Sequence, residues 1–229
     1  MPPSVMMVLV SQSNYLPWRG FIDLIRNADI FVVYDSMQFT KNDWRNRNLI
    51  TNNGKVQWLT VPCGSSISRT IDQVYPASLG WNKRHFETIR HCYARYNNWA
   101  EHSQQLKDLY DSFDGMSLSE VNVSLLQYIL RFEGISTKLV RDCEIVEREK
   151  LSVMEKTERL VEICQCLGAT KYISGPSAKN YLNESLFAKN CIDVTFYDYP
   201  SYEPVGPLPA GQLYNLSWLD TLMRRGHLF

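Results

Sequence analysis

Two short, uninterrupted apolar runs, residues 5–11 and 30–34, constrain the fold of this chain more than any other feature. A continuous run of this length, without polar alternation, predicts a strand buried on both faces, as in a parallel sheet. Between the runs, Pro17 and Gly20 break a loop, after which Phe21, Ile22, Leu24, Ile25 and Ala28 recur at helical spacing. Strand, loop, helix and strand within about 30 residues fit one βαβ unit. Such units carry ligand-binding residues in the loops after the carboxyl ends of their strands. Both polar clusters of the region, residues 12–19 and 35–48, occupy those positions.

The rest of the chain continues in the same style. Residues 56–61 read as a strand stopped by Pro62, followed by a loop rich in Gly, Ser and Thr over 63–70. Helices are predicted over 82–96, 103–110 and 119–132, the last opened by Ser119-Glu120-Val121-Asn122 and closed by Gly134. A strand over 135–140 follows, then a helix over 156–167 with Gly168 as its C-cap glycine. Strands over 171–174 and 191–199 flank a turn at Gly175-Pro176 and a helix over 177–182. Four prolines over 200–209 predict an extended stretch, and a last helix spans 216–225. The expectation is an α/β fold, a mostly parallel sheet with flanking helices plus a helical middle segment. Residues 1–229 read as one domain, with a helical subregion at about 82–133.

Lysine plus arginine equal aspartate plus glutamate, 24 each, so there is no general pull towards nucleic acid or an anionic membrane. No apolar run approaches the roughly 20 residues needed to span a bilayer. The first ten residues lack the basic region and cleavage site of a signal peptide, which makes the cytoplasm the expected compartment. The six cysteines have no framework spacing and read as reduced thiols. Cys164 and Cys166 stand two apart in a helical pattern, on different faces, so no metal site is expected.

The polar-aromatic segment holds Gln12, Asn14, Tyr15, Trp18, Asp23, Asp35, Gln38, Lys41, Trp44, Arg45, Asn46, Arg47 and Asn48. Tryptophan and tyrosine rings suit stacking on a sugar or a base. Asparagine and glutamine amides pair with hydroxyls or base edges. Lys41, Arg45 and Arg47 suit phosphate, arginine as a bidentate fork. The structural alternative is half-buried ring packing for Trp18 and Trp44 and a solvated surface for Arg45 and Arg47.

These residues resemble the WbqC-like protein family. The resemblance rests on Gln12-Ser-Asn-Tyr-Leu-Pro-Trp-Arg-Gly20, Asp23-Leu-Ile, Ala28-Asp29, Tyr34-Asp35-Ser-Met-Gln38-Phe39-Thr-Lys41 and Trp44-Arg-Asn-Arg-Asn48. It continues through Trp58-Leu-Thr-Val-Pro62, Trp81 with His85, Leu167-Gly-Ala169, Tyr172-Ile-Ser-Gly175, Tyr181-Leu182 and Asp220. Where the family usually has Gln-Pro-Asn-Tyr this chain has Gln12-Ser13-Asn14-Tyr15, and Asp35-Ser36 stands where Asp-Asp is frequent. The resemblance implies bacterial surface-polysaccharide (O-antigen) synthesis, with transfer of an acyl or aminoacyl group, glycyl for example, to an amino sugar. A nucleotide-linked sugar and an activated acyl donor are the implied partners. Nucleic acid enters only if that donor is an aminoacyl-tRNA, and the cofactor is left open. The first 34 residues are also similar to the start of the nucleotidylyltransferase and pantothenate-synthetase type of α/β domain. The place of that group's His-x-x-His loop is held here by Pro17-Trp18-Arg19-Gly20.

Acyl transfer to an amine needs a base, a polarised carbonyl and a held donor. Asp35 and His85 are the candidate bases, His85 lying at helical spacing from Trp81 and open equally to a packing role. Lys41, Arg45 or backbone donors would steady the oxyanion, and Cys63 is the thiol to test for a covalent route, with a structural or incidental cysteine as the favoured reading. Ser174-Gly175-Pro176-Ser177 is a further, weak anion-binding signal. Two rival readings remain open, an ATP-dependent ligase or nucleotidyltransferase and a non-catalytic sugar- or nucleotide-binding accessory protein.

Overall fold

The computed structural model describes residues 5–64, 68–202 and 216–229, so most of the proline-rich stretch lies outside the described residues. The chain forms two compact units, the first from residues 1–12, 22–37 and 135–200, the second from residues 13–21, 38–134 and 201–229. In chain order the elements are β1 (Met7–Ser11), α1 (Arg19–Arg26), β2 (Ile30–Val33), β3 (Arg47–Asn52), β4 (Lys55–Thr60), α2 (Trp81–Tyr93), α3 (Trp99–Asp111) and α4 (Leu118–Phe132). They continue with β5 (Lys138–Arg141), α5 (Arg148–Ser152), α6 (Lys156–Cys166), β6 (Lys171–Ser174), α7 (Glu184–Lys189), β7 (Asp193–Phe196) and α8 (Trp218–Arg225).

The first unit is built on a five-stranded, wholly parallel sheet in the order β5-β2-β1-β6-β7. Val8, Val10, Ile30, Val32 and Tyr172 face a core completed by Leu151 of α5, Leu160, Val161, Ile163 and Cys164 of α6, and Phe187 of α7. The residues alternating with them, Leu9, Phe31, Val33 and Ile173, are buried as well. That two-sided burial is why the runs in the sequence are continuous. Each such side chain contributes about 1.5–3 kcal/mol by leaving water. Helix α6 opens with a Glu155–Glu158 capping box and stops at Leu167, with Gly168 in the left-handed region (φ +68°) that its missing Cβ allows. Counting only this sheet's strands, the order reverses between β1 and β6, and open α/β sheets bind ligands beyond the carboxyl ends at such a reversal.

The second unit holds the helical middle segment, α2 to α4, together with α8 and an antiparallel hairpin of β3 and β4. Residues 35–48, expected as one loop, end instead in a strand: Arg47 and Asn48 pair with Thr60 and Leu59. The turn is Asn53-Gly54, both at positive φ (+48° and +78°), a pair suited to a two-residue hairpin loop. Helix α4 begins one residue earlier than expected, at Leu118, because Ser117 is its N-cap and makes the capping box with Glu120. The hairpin is tied to α8 and α2 through Asp220, whose buried carboxylate accepts hydrogen bonds from the Thr51 hydroxyl and from Tyr93 Oη. Burial raises the Asp220 carboxyl above the usual carboxylate range, and the Thr51 and Tyr93 hydrogen bonds act against it. No helix among the described residues is long and apolar enough to cross a membrane.

Candidate functional site

In the second unit the loop at 14–18 and the start of the hairpin enclose a cleft of about 160 Å³, lined by Asn14, Pro17, Trp18, Trp44 and Asn48. Its walls are set by short-range constraints. The Trp18 indole lies directly on the backbone of Gly20, where a Cβ would stand 2.2 Å from the ring. Trp18 also meets Tyr202 edge-on (5.8 Å, 88°), and the Arg19 guanidinium sits 4.5 Å over the same Tyr202 ring. Leu16, just before Pro17, holds φ +45°, a left-handed conformation costing about 1–2 kcal/mol for a residue with a Cβ. Its carbonyl accepts a 2.6 Å hydrogen bond from Asn48 Nδ2, which locks the turn.

The loop at 43–46 is pinned beside it. Tyr15 N donates to Trp44 O (2.9 Å), and Asn122 Nδ2 donates to Arg45 O and Ser13 Oγ (2.9 Å each). Asn46 Nδ2 donates to Val61 O (3.0 Å) and Val61 N to Asn46 O (2.7 Å). The amides that read as ligand contacts therefore divide. Asn46 is committed to the backbone, Asn48 to the turn while still lining the cleft, and Asn14 lines the cleft and accepts from Arg45 Nη1 (3.5 Å). Arg45 also pairs with Asp43 (3.5 Å).

Tyr15 and His85 lie inside the unit rather than on its surface. His85 Nε2 faces Thr60 O at 3.1 Å, and a carbonyl only accepts, so Nε2 carries the proton. Nδ1 then accepts from Tyr15 Oη (2.8 Å), which in turn accepts from Tyr110 Oη (2.8 Å). Burial lowers the His85 pKa to about 4 and holds the Tyr15 hydroxyl well above the usual phenol range. Proton transfer at His85 would first require breaking one of these bonds. Trp81 meets the imidazole edge-on at 5.1 Å, the packing contact that helical spacing anticipated.

In the sheet unit, Asp35 follows β2 and is 2% exposed. Its neighbour Ser36 donates through both hydroxyl and backbone N–H to Asp142, the residue after the adjacent strand β5. The Asp142 carboxyl is raised chiefly by burial, with the Asp35 charge adding and the Ser36 hydrogen bonds opposing. Asp142 was missed because a carboxylate directly after a short strand has no local signature. Gln12 is half-buried after β1, and Ser174 is buried at the end of β6. Asp23 is buried and engaged by Tyr197 Oη (2.7 Å) and Arg26 (2.5 Å). In the second unit, Gln38 and Lys41 are exposed, Gln38 bridging to Thr70. Cys63 is buried and its thiol is pushed up to about 12 by that burial, the opposite of an activated nucleophile.

Trp58 reads in the sequence only as part of the family motif and is not among the candidate site residues. Leu59 and Val61 point inward on β4 and just beyond it, so period-two alternation sends Trp58 outward, where it is 45% exposed. It stands 5.7 Å from Trp44 at 48°, and the Arg47 guanidinium lies 4.1 Å over its ring. A larger groove of about 700 Å³ runs along α2 and α3. Its charged lining is solvated surface, in which Lys107 already pairs with Asp111 (2.5 Å).

The sequence profile of the WbqC-like protein family matches residues 12–227. A protein of Mycobacterium tuberculosis named "Uncharacterized protein Rv1507c" is 38% identical over 223 residues, covering 96% of this chain and 94% of the relative. No solved structure matches the chain significantly.

Proposed function

Because the chain belongs to the WbqC-like protein family, we propose that it is an enzyme of bacterial surface-polysaccharide synthesis that transfers an acyl or aminoacyl group to the amine of a nucleotide-linked amino sugar. The observation that carries this reading is the cleft between Trp18 and Trp44. It pairs two indole walls with the Asn14 and Asn48 amides and the neighbouring Arg45, the mixture of flat apolar faces and few polar groups that binds sugars. Its volume suits one ring. In this reading Arg45 or Lys41 steadies the oxyanion of the tetrahedral intermediate, which collapses to the amide as the donor's carrier (CoA, tRNA or AMP) leaves. Asp35 of the sheet unit stays the candidate base named from the sequence, tested by its own variant. His85 is left to hold Tyr15, since both its nitrogens are engaged.

The test is to incubate the protein with nucleotide-linked amino sugars and each donor class in turn: acyl-CoA, aminoacyl-tRNA, or amino acid with ATP. Mass spectrometry of the sugar is expected to show one added acyl group, lost in Trp18→Leu and in Asp35→Asn. No mass gain with any donor would overturn the reading. Release of AMP or pyrophosphate without a modified sugar would move it to a ligase or nucleotidyltransferase. Binding without turnover would move it to an accessory protein.

A further inference from the structure

A nucleotide-linked sugar is larger than the cleft. Pockets that enclose a drug-sized ligand run to about 300–1,000 Å³, whereas this one holds about 160 Å³. The base and phosphates of an activated sugar must then lie outside it. The same unit offers a surface for them. Trp44, part of the cleft wall, is 36% exposed and continues into Trp58, 45% exposed. Arg47 and Trp58 are diagonal neighbours on the hairpin, since Arg47 faces Thr60 and Leu49 faces Trp58, and this register sets the guanidinium over the indole. Among the described residues no carboxylate forms an ion pair with Arg47, which leaves its charge available to an anion. Two large indoles left open to water, with an arginine fixed on one of them, are not explained by packing. They are the means by which proteins hold an unstacked base and its phosphate.

We propose that Trp44, Trp58 and Arg47, with Arg45 beside them, form a nucleoside-diphosphate subsite continuous with the sugar cleft. The base stacks on the tryptophan pair and the phosphates face the two arginines. This rests on the reading above that the sugar is carried on a nucleotide. The unpaired 3′ end of an RNA offers the same base-and-phosphate chemistry, but the shared wall at Trp44 joins the subsite to a cleft for one ring and favours the activated sugar.

The experiment titrates UDP, GDP, CMP and dTDP separately into the full chain, following intrinsic tryptophan fluorescence and calorimetry. A six-nucleotide single-stranded RNA serves as the competing arm. At least one mononucleotide is expected to saturate the signal. Trp58→Leu is expected to weaken it by about 5- to 150-fold, the loss of one stacked base. Trp58→Phe, which keeps a ring, should retain most of the affinity, and circular dichroism checks that both variants fold. Unchanged affinity in Trp58→Leu, or binding of the RNA alone, would overturn the proposal. Trp58-dependent nucleotide binding without acyl transfer would sink the reaction and leave the subsite. Transfer undiminished in Trp58→Leu would do the reverse.

Discussion

Tyr15, His85 and Tyr110 on one side, and Trp44, Trp58 and Arg47 on the other, are both groups of rings with a basic side chain in the same unit, yet they serve opposite ends. In the first every polar atom is matched: Thr60 O fixes the imidazole tautomer, and two hydroxyls complete a chain of donors with none left over. In the second the rings meet water and Arg47 rests on a π face instead of a carboxylate. Identical chemistry satisfied internally stabilises the fold. Left at the surface, rings and a cation are open to a ligand, as in the subsite proposed above.

The largest expected effect sharpens the buried side of this contrast. His85 has a folded pKa near 4 against about 6.5 unfolded, so above pH 6.5 both states are neutral and stability is full. As pH falls from 6.5 towards 4 the unfolded state takes up the proton first, removing about 1.4 kcal/mol per unit, about 3 kcal/mol in all. Urea unfolding of wild type and His85→Gln across that range should show their stability gap narrowing by this amount. A gap independent of pH would mean that the imidazole is not held neutral.

Next comes the wall of the cleft. Gly20→Ala would place a Cβ 2.2 Å from the Trp18 ring, so the indole must move or the loop must strain. The expected cost is about 1–3 kcal/mol, read by thermal unfolding, together with weakened sugar binding. Wild-type behaviour in both would show that Trp18 is not held by the glycine.

The smallest effect on stability is at the open cluster. Trp58→Leu should change unfolding free energy by no more than about 0.5 kcal/mol while nucleotide affinity falls. A loss of several kcal/mol instead would place Trp58 with the buried cluster and erase the contrast.

Much of the sheet unit was legible in the sequence. The two apolar runs became β1 and β2 in parallel register, Gly168 ended α6 as its lack of a Cβ allows, and the strand over 171–174 appeared as written. The hairpin was half missed. Arg47 and Asn48 were grouped with polar loop residues, although Asn53-Gly54 carried the turn signal. Among the site residues, Trp18 and Trp44 do share a cleft with Asn14 and Asn48. Tyr15 and Asn46, named on the same grounds, turned inward, because a tyrosine hydroxyl or an amide can answer either a ligand or a backbone carbonyl, and local sequence does not distinguish them.

By itself, then, the sequence determined the α/β class, the parallel sheet and the family, since these follow from local periodicity, glycine conformation and extended motif matches. Tertiary structure alone decided which polar side chains were satisfied inside the fold and which stayed at the surface. His85 became a neutral link because Thr60 and Tyr15 reached it from distant parts of the chain. Trp58 faces solvent because the hairpin register sends it outward, and the loop at 43–46 brings Trp44 to it. Hydrogen-bond satisfaction is a property of what arrives in three dimensions, and no window of neighbouring residues contains it.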